Sequence, residues 1–210
     1  MLQEATVFVV DDDSDMRASL NRLLQSVKFP VELFESAERF LESGKAHAPG
    51  CLLLDVRMPG MDGLELLEHL KNMEIHPPVI LLTGHGDVPM VLRALKAGAL
   101  DFIEKPANHQ RLIETVRRAL EVDRAQRIRE DQRNHFQTAL AALSTRERDV
   151  LERMVAGTVN KVMAQDLGIS ERTLEKHRKH VLEKLGMRSL AELIRAVVLH
   201  ESQGDRTKNP

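Results

Sequence analysis

Short runs of β-branched and aliphatic residues alternate with amphipathic segments through the first half of the 210-residue chain. Each run has the length of a strand and is bounded by polar or turn-forming residues, so five strands are predicted, at residues 6–10, 31–34, 51–55, 79–83 and 101–104. Strands that alternate with helical segments are typical of a parallel sheet with helices on both faces. The pattern therefore predicts an α/β domain built on a doubly wound, five-stranded parallel sheet.

The segments between these strands carry apolar residues at helical spacing, three or four positions apart. Each set forms an apolar stripe along one face of its helix. The stripes are Met16, Leu20, Leu23, Leu24 and Val27; Leu64, Leu67, Leu70 and Met73; and Val88, Val91, Leu92 and Leu95.

The second half of the chain is helical in pattern throughout. Ser144 followed by Glu147 forms a capping box that begins one helix. A short helix at 160–167 leads through a glycine-containing turn at 168–170 into a longer helix at 171–185, which is the helix-turn-helix arrangement. A fourth helix carries Leu190, Leu193, Ile194 and Val197. These patterns predict an all-α, four-helix domain.

Residues 107–156 contain neither Gly nor Pro, so the last helix of the first domain can continue into the charged stretch that follows. Its apolar periodicity fades after Val122, and the sustained heptads of a dimerising coiled coil are missing. We therefore predict a first domain at 1–120, a solvated helical linker at 121–139 and a second domain at 140–205.

Charge divides along the chain in the same way. Residues 1–139 carry 17 Lys and Arg against 22 Asp and Glu, a net charge of −5, whereas residues 140–210 carry 13 against 10, a net charge of +3. An acidic half joined to a basic half fits a regulatory or metal-binding domain attached to a nucleic-acid-binding one. No apolar stretch has the length of a signal sequence or membrane span, which favours a cytoplasmic protein. The single cysteine, Cys51, is interpreted as a core residue.

Three carboxylates stand at predicted strand ends. Asp11 and Asp12 follow the first strand and Asp55 ends the third. The carboxyl ends of parallel strands meet at one edge of the sheet, where clustered carboxylates require a neutralising cation. Hard oxygen ligands suit Mg²⁺, and an aspartate beside Mg²⁺ is a plausible nucleophile toward a phosphoryl donor. Thr83 and Lys105 end two further strands and can contact phosphoryl oxygens. The alternative is that these residues begin ordinary solvated loops.

The motifs VVDDD, LLLDVRMPGMDG, ILLTGHGDVPM, KAGALDF and EKP resemble the receiver domain of two-component response regulators, over about residues 5–120. That domain has a flavodoxin-like fold, and the stretch TGHGDVPM resembles the FixJ type in particular. The resemblance implies that Asp55 is the phosphoacceptor. It also implies that Asp12, Asp55 and the backbone carbonyl of Arg57 bind Mg²⁺, with Asp11 acting on the metal largely through water.

The same resemblance assigns a response to phosphorylation. Thr83 and Lys105 become the sensors of the phosphoryl group, the Lys105-Pro106 bond is expected to be cis, and Phe102 becomes the aromatic switch residue. Simple core packing remains the alternative for Phe102. We expect the face formed by residues 88–97, 101–104 and 108–120 to form a homodimer when Asp55 is phosphorylated.

The helix at 171–185 has one apolar face and one polar, mostly basic face. By itself this pattern also fits a solvated amphipathic helix. LSTRERDVL, GTVNKVMAQDLGIS, RTLEKHRKHVLEKLG and RSLAELIRA resemble the LuxR or NarL type of helix-turn-helix, over about residues 140–200. That resemblance implies base contacts by Glu175, Lys176 and Lys179, and phosphate contacts by Thr173, Asn160, Lys161, Arg178 and Arg188.

Together these features predict a response regulator transcription factor and not an enzyme. Its expected partners are a sensor histidine kinase and double-stranded DNA, with RNA polymerase as a further candidate, and it is not expected to bind a membrane. One alternative is a Mg²⁺-dependent aspartyl-phosphate phosphohydrolase. That class places a second catalytic Asp two residues after the nucleophile, where this chain has Arg57. Another alternative is a DNA-binding protein whose receiver is a degenerate docking module.

Overall fold

The structure, a computed structural model, describes residues 5–84 and 88–204. The ends of the predicted domains at residues 1–4 and 205, and residues 85–87 of the TGHGDVPM stretch, lie outside these ranges. The chain divides into two compact units, Met1–Arg127 and Ile128–Pro210. Each unit has its own core.

Five parallel strands form the sheet of the first unit. They are β1 (Thr6–Val10), β2 (Val31–Phe34), β3 (Gly50–Asp55), β4 (Val79–Thr83) and β5 (Asp101–Glu104). Their order across the sheet is β2-β1-β3-β4-β5, and every pair is parallel. The strand order therefore reverses between β1 and β3, where parallel sheets form ligand-binding sites. The predicted fold class is confirmed, and β3 begins one residue earlier than expected.

Helices cover both faces of this sheet. One face packs against α1 (Ser14–Ser26) and the first part of α5 (His109–Ala141), and the other against α2 (Ala37–Glu42), α3 (Gly63–Asn72) and α4 (Val88–Ala97). Successive side chains of a strand point to opposite faces. Along β3, Leu53 therefore packs in the core on the α1 and α5 side, whereas Leu52 and Leu54 pack in the other.

The apolar stripe predicted for α4 is not the face of the helix that is buried. Leu92 and Leu95 are 52% and 48% exposed, whereas Ala94 and Ala97 are buried. Small alanine side chains let the helix lie close to the sheet, and the two leucines consequently remain on the outer surface. Met73, the last residue of the stripe predicted for α3, is also exposed where that helix ends.

The segment predicted as a solvated linker is helical, as expected, because α5 continues to Ala141. Two of its residues are nevertheless buried, Asp123 in the first unit and Phe136 in the core of the second. Asp123 is charged, so hydrophobic periodicity could not reveal its burial. Phe136 begins a stripe at helical spacing with Ala139, Leu140 and Leu143, which pack in the same core, so the apolar pattern resumes before the predicted linker ends. The limits of the linker and of the two domains stay predictions.

The second unit contains α6 (Thr145–Val155), α7 (Asn160–Asp166), α8 (Glu171–Lys184) and α9 (Leu190–Gly204). The capping box at Ser144 is confirmed: its side chain accepts from the Glu147 amide, and the Glu147 carboxylate accepts from the Ser144 amide. Ser170 caps α8 by accepting from the Thr173 amide. The apolar face of α8, formed by Leu174, Val181 and Leu185, is buried in the core.

Candidate functional site

Four polar residues meet where strands of the first unit end. Asp11 follows β1, Asp55 ends β3, Thr83 ends β4 and Lys105 follows β5. Asp11, Asp55 and Thr83 are buried, and the backbone amide of Lys105 donates to the Thr83 carbonyl at 2.7 Å. The Lys105-Pro106 bond is cis, as expected. The residues that lie far apart in the sequence are therefore brought together at one edge of the sheet.

Lys105 pairs with two of the carboxylates at once. Its ammonium donates to Oδ2 of Asp11 and to Oδ1 of Asp55, each at 2.7 Å. Only 18% of the Lys105 side chain is exposed, so these charge-assisted bonds are sheltered from bulk water. Asp11 is held from its other oxygen as well, because Oδ1 accepts from the Asp13 amide at 2.9 Å.

Burial and neighbouring charge shift the titration of this pair. Burial raises the pKa of Asp55 above its ordinary value, and the charges of Asp11 and Asp12 act in the same direction, while the contact with Lys105 opposes them. Burial alone would lower the pKa of Lys105, but its hydrogen bonds to Asp11 and Asp55 outweigh burial and raise it. One ammonium therefore balances an excess of carboxylate charge, which leaves the site receptive to a further cation.

Asp11, Asp12 and Asp55 also form a cluster that could hold a metal ion. One carboxylate oxygen from each residue lies within 4.8 Å of the others. Asp11 and Asp55 are buried whereas Asp12 is exposed, so the cluster opens to solvent on one side. An acidic pocket of hard oxygen ligands with an open side is typical of Mg²⁺ sites, because Mg²⁺ keeps several of its waters.

The loop between β3 and α3, which carries Arg57, is anchored at several points. The Gly63 amide donates to the Val56 carbonyl at 3.0 Å. A side chain at Gly63 would approach the Asp55 carbonyl oxygen to 2.2 Å, so only glycine fits there. Asp62 and Glu65 form a reciprocal capping box at the start of α3. The loop is therefore held close behind Asp55.

Glu38 of α2 anchors the same loop from outside, a role that the sequence did not suggest. Its Oε1 accepts from the Met61 amide at 2.9 Å, and that bond lowers the pKa of Glu38. A side chain at Gly60 would come within 2.7 Å of the same oxygen, so the carboxylate lies directly against the backbone of the loop. A lone glutamate in a helical segment gives no sequence signal for such a contact.

Phe102 lies on β5 beside the site and is half-buried. It pairs with Leu81 of β4, two positions before the pairing of Thr83 with Glu104. Its ring packs against the core on the α2, α3 and α4 side without being enclosed by it. Phe102 is thus neither a fully buried core residue nor a solvated one.

The candidate DNA-binding residues lie on α7, on α8 and before α9. Glu175, Lys176 and Lys179 are exposed along α8, opposite its buried apolar face, and Lys179 pairs with Glu183 at 3.6 Å. Thr173, Lys161 and Arg188 are exposed too, and the Thr173 hydroxyl is hydrogen-bonded to Ser170. A helix with one packed face and one free polar face can enter a major groove.

Two candidates for phosphate contacts are also structural partners. The Arg178 guanidinium donates to Oδ1 of Asn160, which joins α8 to the first residue of α7. A further contact that the sequence did not reveal joins α8 to α6, since Lys184 donates to Glu147 at 2.7 Å. These bonds hold α6, α7 and α8 in one arrangement and present the exposed face of α8 outward.

Comparison with protein families decides between the possible roles of these two sites. The family model described as "Response regulator receiver domain" matches residues 7–117, and the model "Bacterial regulatory proteins, luxR family" matches residues 141–197. The chain belongs to the response regulator family. Members of this kind join a receiver domain to a LuxR-type DNA-binding domain and regulate transcription through phosphorylation.

Relatives align with nearly the whole response regulator. The transcriptional regulatory protein FixJ of Bradyrhizobium diazoefficiens is 42% identical over 195 residues, which cover 93% of this chain and 95% of that protein. FixJ of Azorhizobium caulinodans is 45% identical over 199 residues, covering 95% of this chain and 94% of the relative. Similarity therefore extends across both units and the segment that joins them.

Solved structures agree with this assignment. The response regulator StyR matches with a TM-score of 0.83 and 41% identity, covering 93% of this chain and 98% of its own. Full-length FixJ from B. japonicum matches with a TM-score of 0.58 and 40% identity, covering 95% and 98%. Within residues 5–84 and 88–204 of this response regulator, no helix has the length and apolar character needed to cross a membrane.

Proposed function

We propose that this response regulator accepts a phosphoryl group on Asp55 from a sensor histidine kinase, and that phosphorylation drives dimerisation and sequence-specific DNA binding to control transcription. The proposal rests above all on Asp55, a buried carboxylate that is paired with Lys105 and lies beside two further carboxylates. A surface aspartate in solvent would need none of this compensation. Family membership supports a kinase and DNA as the two partners.

The transfer requires a nucleophile and compensation of negative charge. An Oδ atom of Asp55 attacks the phosphorus of a phosphohistidine; the new P–O bond forms as the P–N bond breaks, and the released imidazole nitrogen takes up a proton. Asp11, Asp12, Asp55 and the Arg57 carbonyl are the proposed Mg²⁺ ligands, with Asp11 acting largely through water. When bound, Mg²⁺ would offset charge on the transferred group.

Lys105 and Thr83 are the proposed sensors of the phosphoryl group. Phosphorylation adds a charge of about −1.5 to −2 and new acceptor oxygens. Lys105 then pairs with a phosphoryl oxygen in place of a carboxylate, and the Thr83 hydroxyl donates to another. Phe102 is the proposed switch residue. Its half-buried ring supports this role, because it is not fixed within the core and β5, which carries it, pairs with the strand that Thr83 ends.

We propose that the dimer forms through the face made by α4, β5 and the receiver part of α5. Leu92 and Leu95 support this surface, since both are exposed leucines on one helix. Burying them against a second copy would remove apolar area from water, which favours association. Phosphorylation-linked changes at Phe102 would act on the same face, because Phe102 belongs to β5.

The exposed face of α8 is the proposed DNA-reading element. Glu175, Lys176 and Lys179 are assigned to bases, and the phosphate contacts to Thr173, Asn160, Lys161, Arg178 and Arg188. A regulator that binds promoter DNA would act in the cytoplasm, where RNA polymerase becomes a further partner. We propose no enzymatic turnover, because Arg57 occupies the position at which aspartyl-phosphate hydrolases carry a second carboxylate.

The proposal is tested by comparing the wild type, Asp55→Asn and the control Asp131→Asn, which changes an exposed carboxylate on α5. DNA binding and sedimentation are measured with and without acetyl phosphate. We expect the donor to increase mass and DNA affinity for the wild type and the control but not for Asp55→Asn. Equal, donor-independent behaviour of all three proteins would reject the switch.

A further inference from the structure

The helix α5 makes its most elaborate polar contacts beyond the end of the receiver family match at residue 117. Asp123 is only 4% exposed, and its Oδ2 accepts from the Gly50 amide at 3.0 Å. Arg127, one helical turn later, directs Nε to both oxygens of Asp123 at 3.0 Å. Within the first unit, a buried carboxylate therefore ties α5 to the first residue of β3.

Arg127 extends the same network to the segment that precedes β3. One of its terminal nitrogens donates to the carbonyl of Ala48 at 2.6 Å and to that of His47 at 3.1 Å. Arg127 thus has three separate acceptors, and Asp123 accepts from two donors. A buried charge is stable in a protein only when hydrogen bonds compensate for its loss of water. The hydrogen bonds to Asp123 supply this compensation. We call these four residues, Asp123, Arg127, Ala48 and Gly50, the helix clamp.

The position of Gly50 requires glycine. Its φ is +149°, and a Cβ there would lie 1.9 Å from the carbonyl oxygen of Thr6. β3 therefore begins so close to β1 that no side chain fits, and its first amide points instead to the Asp123 carboxylate. Burial, followed by the charge of Asp123, raises the pKa of the neighbouring Cys51 thiol to about 12.

The helix clamp and the phosphoacceptor lie at opposite ends of one strand. β3 runs from Gly50 to Asp55, a distance of roughly 17 Å at the usual rise per residue. α5 begins at His109, just after the strand-end site, and reaches the clamp about 27 Å further along its axis. Leu112, Val116 and Ala119 hold the receiver part of α5 in the core of the first unit. The helix clamp extends this attachment to Asp123 and Arg127, the last turn of α5 in that unit.

We infer that Asp123 and Arg127 are positioning residues of the output helix, which bind α5 to the amino end of β3 so that a change at the α4–β5–α5 face moves α5 as one body. This inference rests on the proposed function. Loss of the clamp leaves the chemistry at Asp55 intact, because none of the clamp residues touches that site. Loss of the clamp separates the phosphorylation-linked change in the receiver from the part of α5 that follows Arg127. Phosphorylation then alters DNA binding less than it does in the wild type.

The test compares the wild type with Arg127→Ala, Asp123→Asn and Arg127→Lys in the full-length chain. Arg124→Ala is the matched control, because it removes an exposed arginine from the same stretch of α5. Three quantities are measured for each protein. They are hydrogen exchange without phosphodonor, the fraction phosphorylated by acetyl phosphate, and the ratio of DNA affinities with and without the donor.

We expect Arg127→Ala to accelerate exchange at the Gly50 amide and at residues 121–127 by about tenfold or more, while the phosphorylated fraction stays at the wild-type level. The ratio of the DNA affinity with the donor to the affinity without it should fall about fivefold, and so move closer to one. Asp123→Asn should act in the same direction, and Arg127→Lys less, because lysine keeps the charge but cannot reach all three acceptors. Arg124→Ala should match the wild type.

Four outcomes would overturn the inference. If hydrogen exchange is unchanged in Arg127→Ala, the clamp does not hold α5. If exchange is faster but the ratio of DNA affinities is unchanged, the clamp has no positioning role. A reduced phosphorylated fraction in all clamp variants would show that the contacts support the receiver fold and nothing more. If the wild type does not respond to the donor, the proposed switch and the role of α5 as its output helix are rejected. Faster exchange in Arg127→Ala would then still show that the clamp contacts hold α5 to β3.

Discussion

The ammonium of Lys105 lies 2.7 Å from Oδ1 of Asp55, so the carboxylate proposed to accept a phosphoryl group is already paired with a cation. The same ammonium lies 2.7 Å from Asp11, a second residue of the acidic cluster. Lys105 and a bound divalent cation would therefore neutralise the same carboxylates. Each should weaken the binding of the other, because like charges at close range repel strongly in a partly buried site.

Replacing Lys105 should consequently strengthen Mg²⁺ binding. We expect Lys105→Met to bind Mg²⁺ about tenfold more tightly than the wild type, as judged by isothermal titration calorimetry, because the competing cation is gone. The variant should also lose phosphorylation-dependent dimerisation. Lys71→Met, which removes an exposed lysine from α3, outside the proposed dimer face, serves as the control. Weaker Mg²⁺ binding by Lys105→Met would contradict this competition.

The second unit should depend on pH through Glu147. Its hydrogen bonds from Lys184 and then from Ser144 lower its pKa from 4.5 to about 2. Because the folded-state pKa is depressed, the stabilisation is present above the unfolded value of 4.5 and is lost as the pH falls through about 2. Glu147→Gln should cost about 1 kcal/mol at neutral pH, of the order of a helix cap.

Thermal unfolding of the wild type and Glu147→Gln, followed by circular dichroism from pH 7 downward, checks this dependence. The difference in melting temperature should be constant above pH 5 and shrink as the pH approaches 2. Glu152→Gln changes an exposed glutamate of the same helix and should melt like the wild type throughout. A difference that grows in acid would mean that Glu147 does not carry the stabilising charge.

The sequence predicted the strands well because each buried strand is a compact apolar run with a turn-forming or polar residue at its end. Asp55 and Lys105 could be placed together for the same reason, since parallel strands end at one edge. α4 shows the limit of this reasoning. Periodicity identified its apolar residues, but the alanines, which carry little hydrophobic signal, face the sheet while Leu92 and Leu95 do not.

Contacts between charged side chains and backbone amides were not predictable. Asp123 and Arg127 stand in a stretch rich in charges, where a buried carboxylate and a solvated one look alike in sequence. Burial there depends on the amide of Gly50, which is more than seventy positions away along the chain. Glu38 is similar, because its partner is a loop amide and not a complementary side chain.

Glu38 leads to a prediction for the metal site. Glu38→Ala removes the acceptor of the Met61 amide and should loosen the loop that carries Arg57. We expect Mg²⁺ affinity to fall about threefold, the size of one modest hydrogen bond, with little change in the melting temperature. Glu42→Ala removes another exposed glutamate of α2, which pairs only with Arg39 among the described side chains, and should bind Mg²⁺ like the wild type. Equal affinities in all three proteins would exclude a role for Glu38 in holding this loop.

Lys179 distinguishes base reading from simple attraction to phosphates. If Lys179 contacts a base edge, Lys179→Ala should weaken binding to the specific site by about 1–3 kcal/mol and relax the preference at one position. If it contacts a phosphate, binding to all sequences should weaken alike, and the slope of log affinity against log salt should fall by about 0.9. We expect the first result, because Lys179 lies on the outward face of α8.

Glu183→Ala removes the ion-pair partner 3.6 Å away and should leave specificity unchanged. Titrations of specific and scrambled DNA at several salt concentrations separate the two cases, and a uniform loss with a smaller slope would move Lys179 to the phosphate contacts.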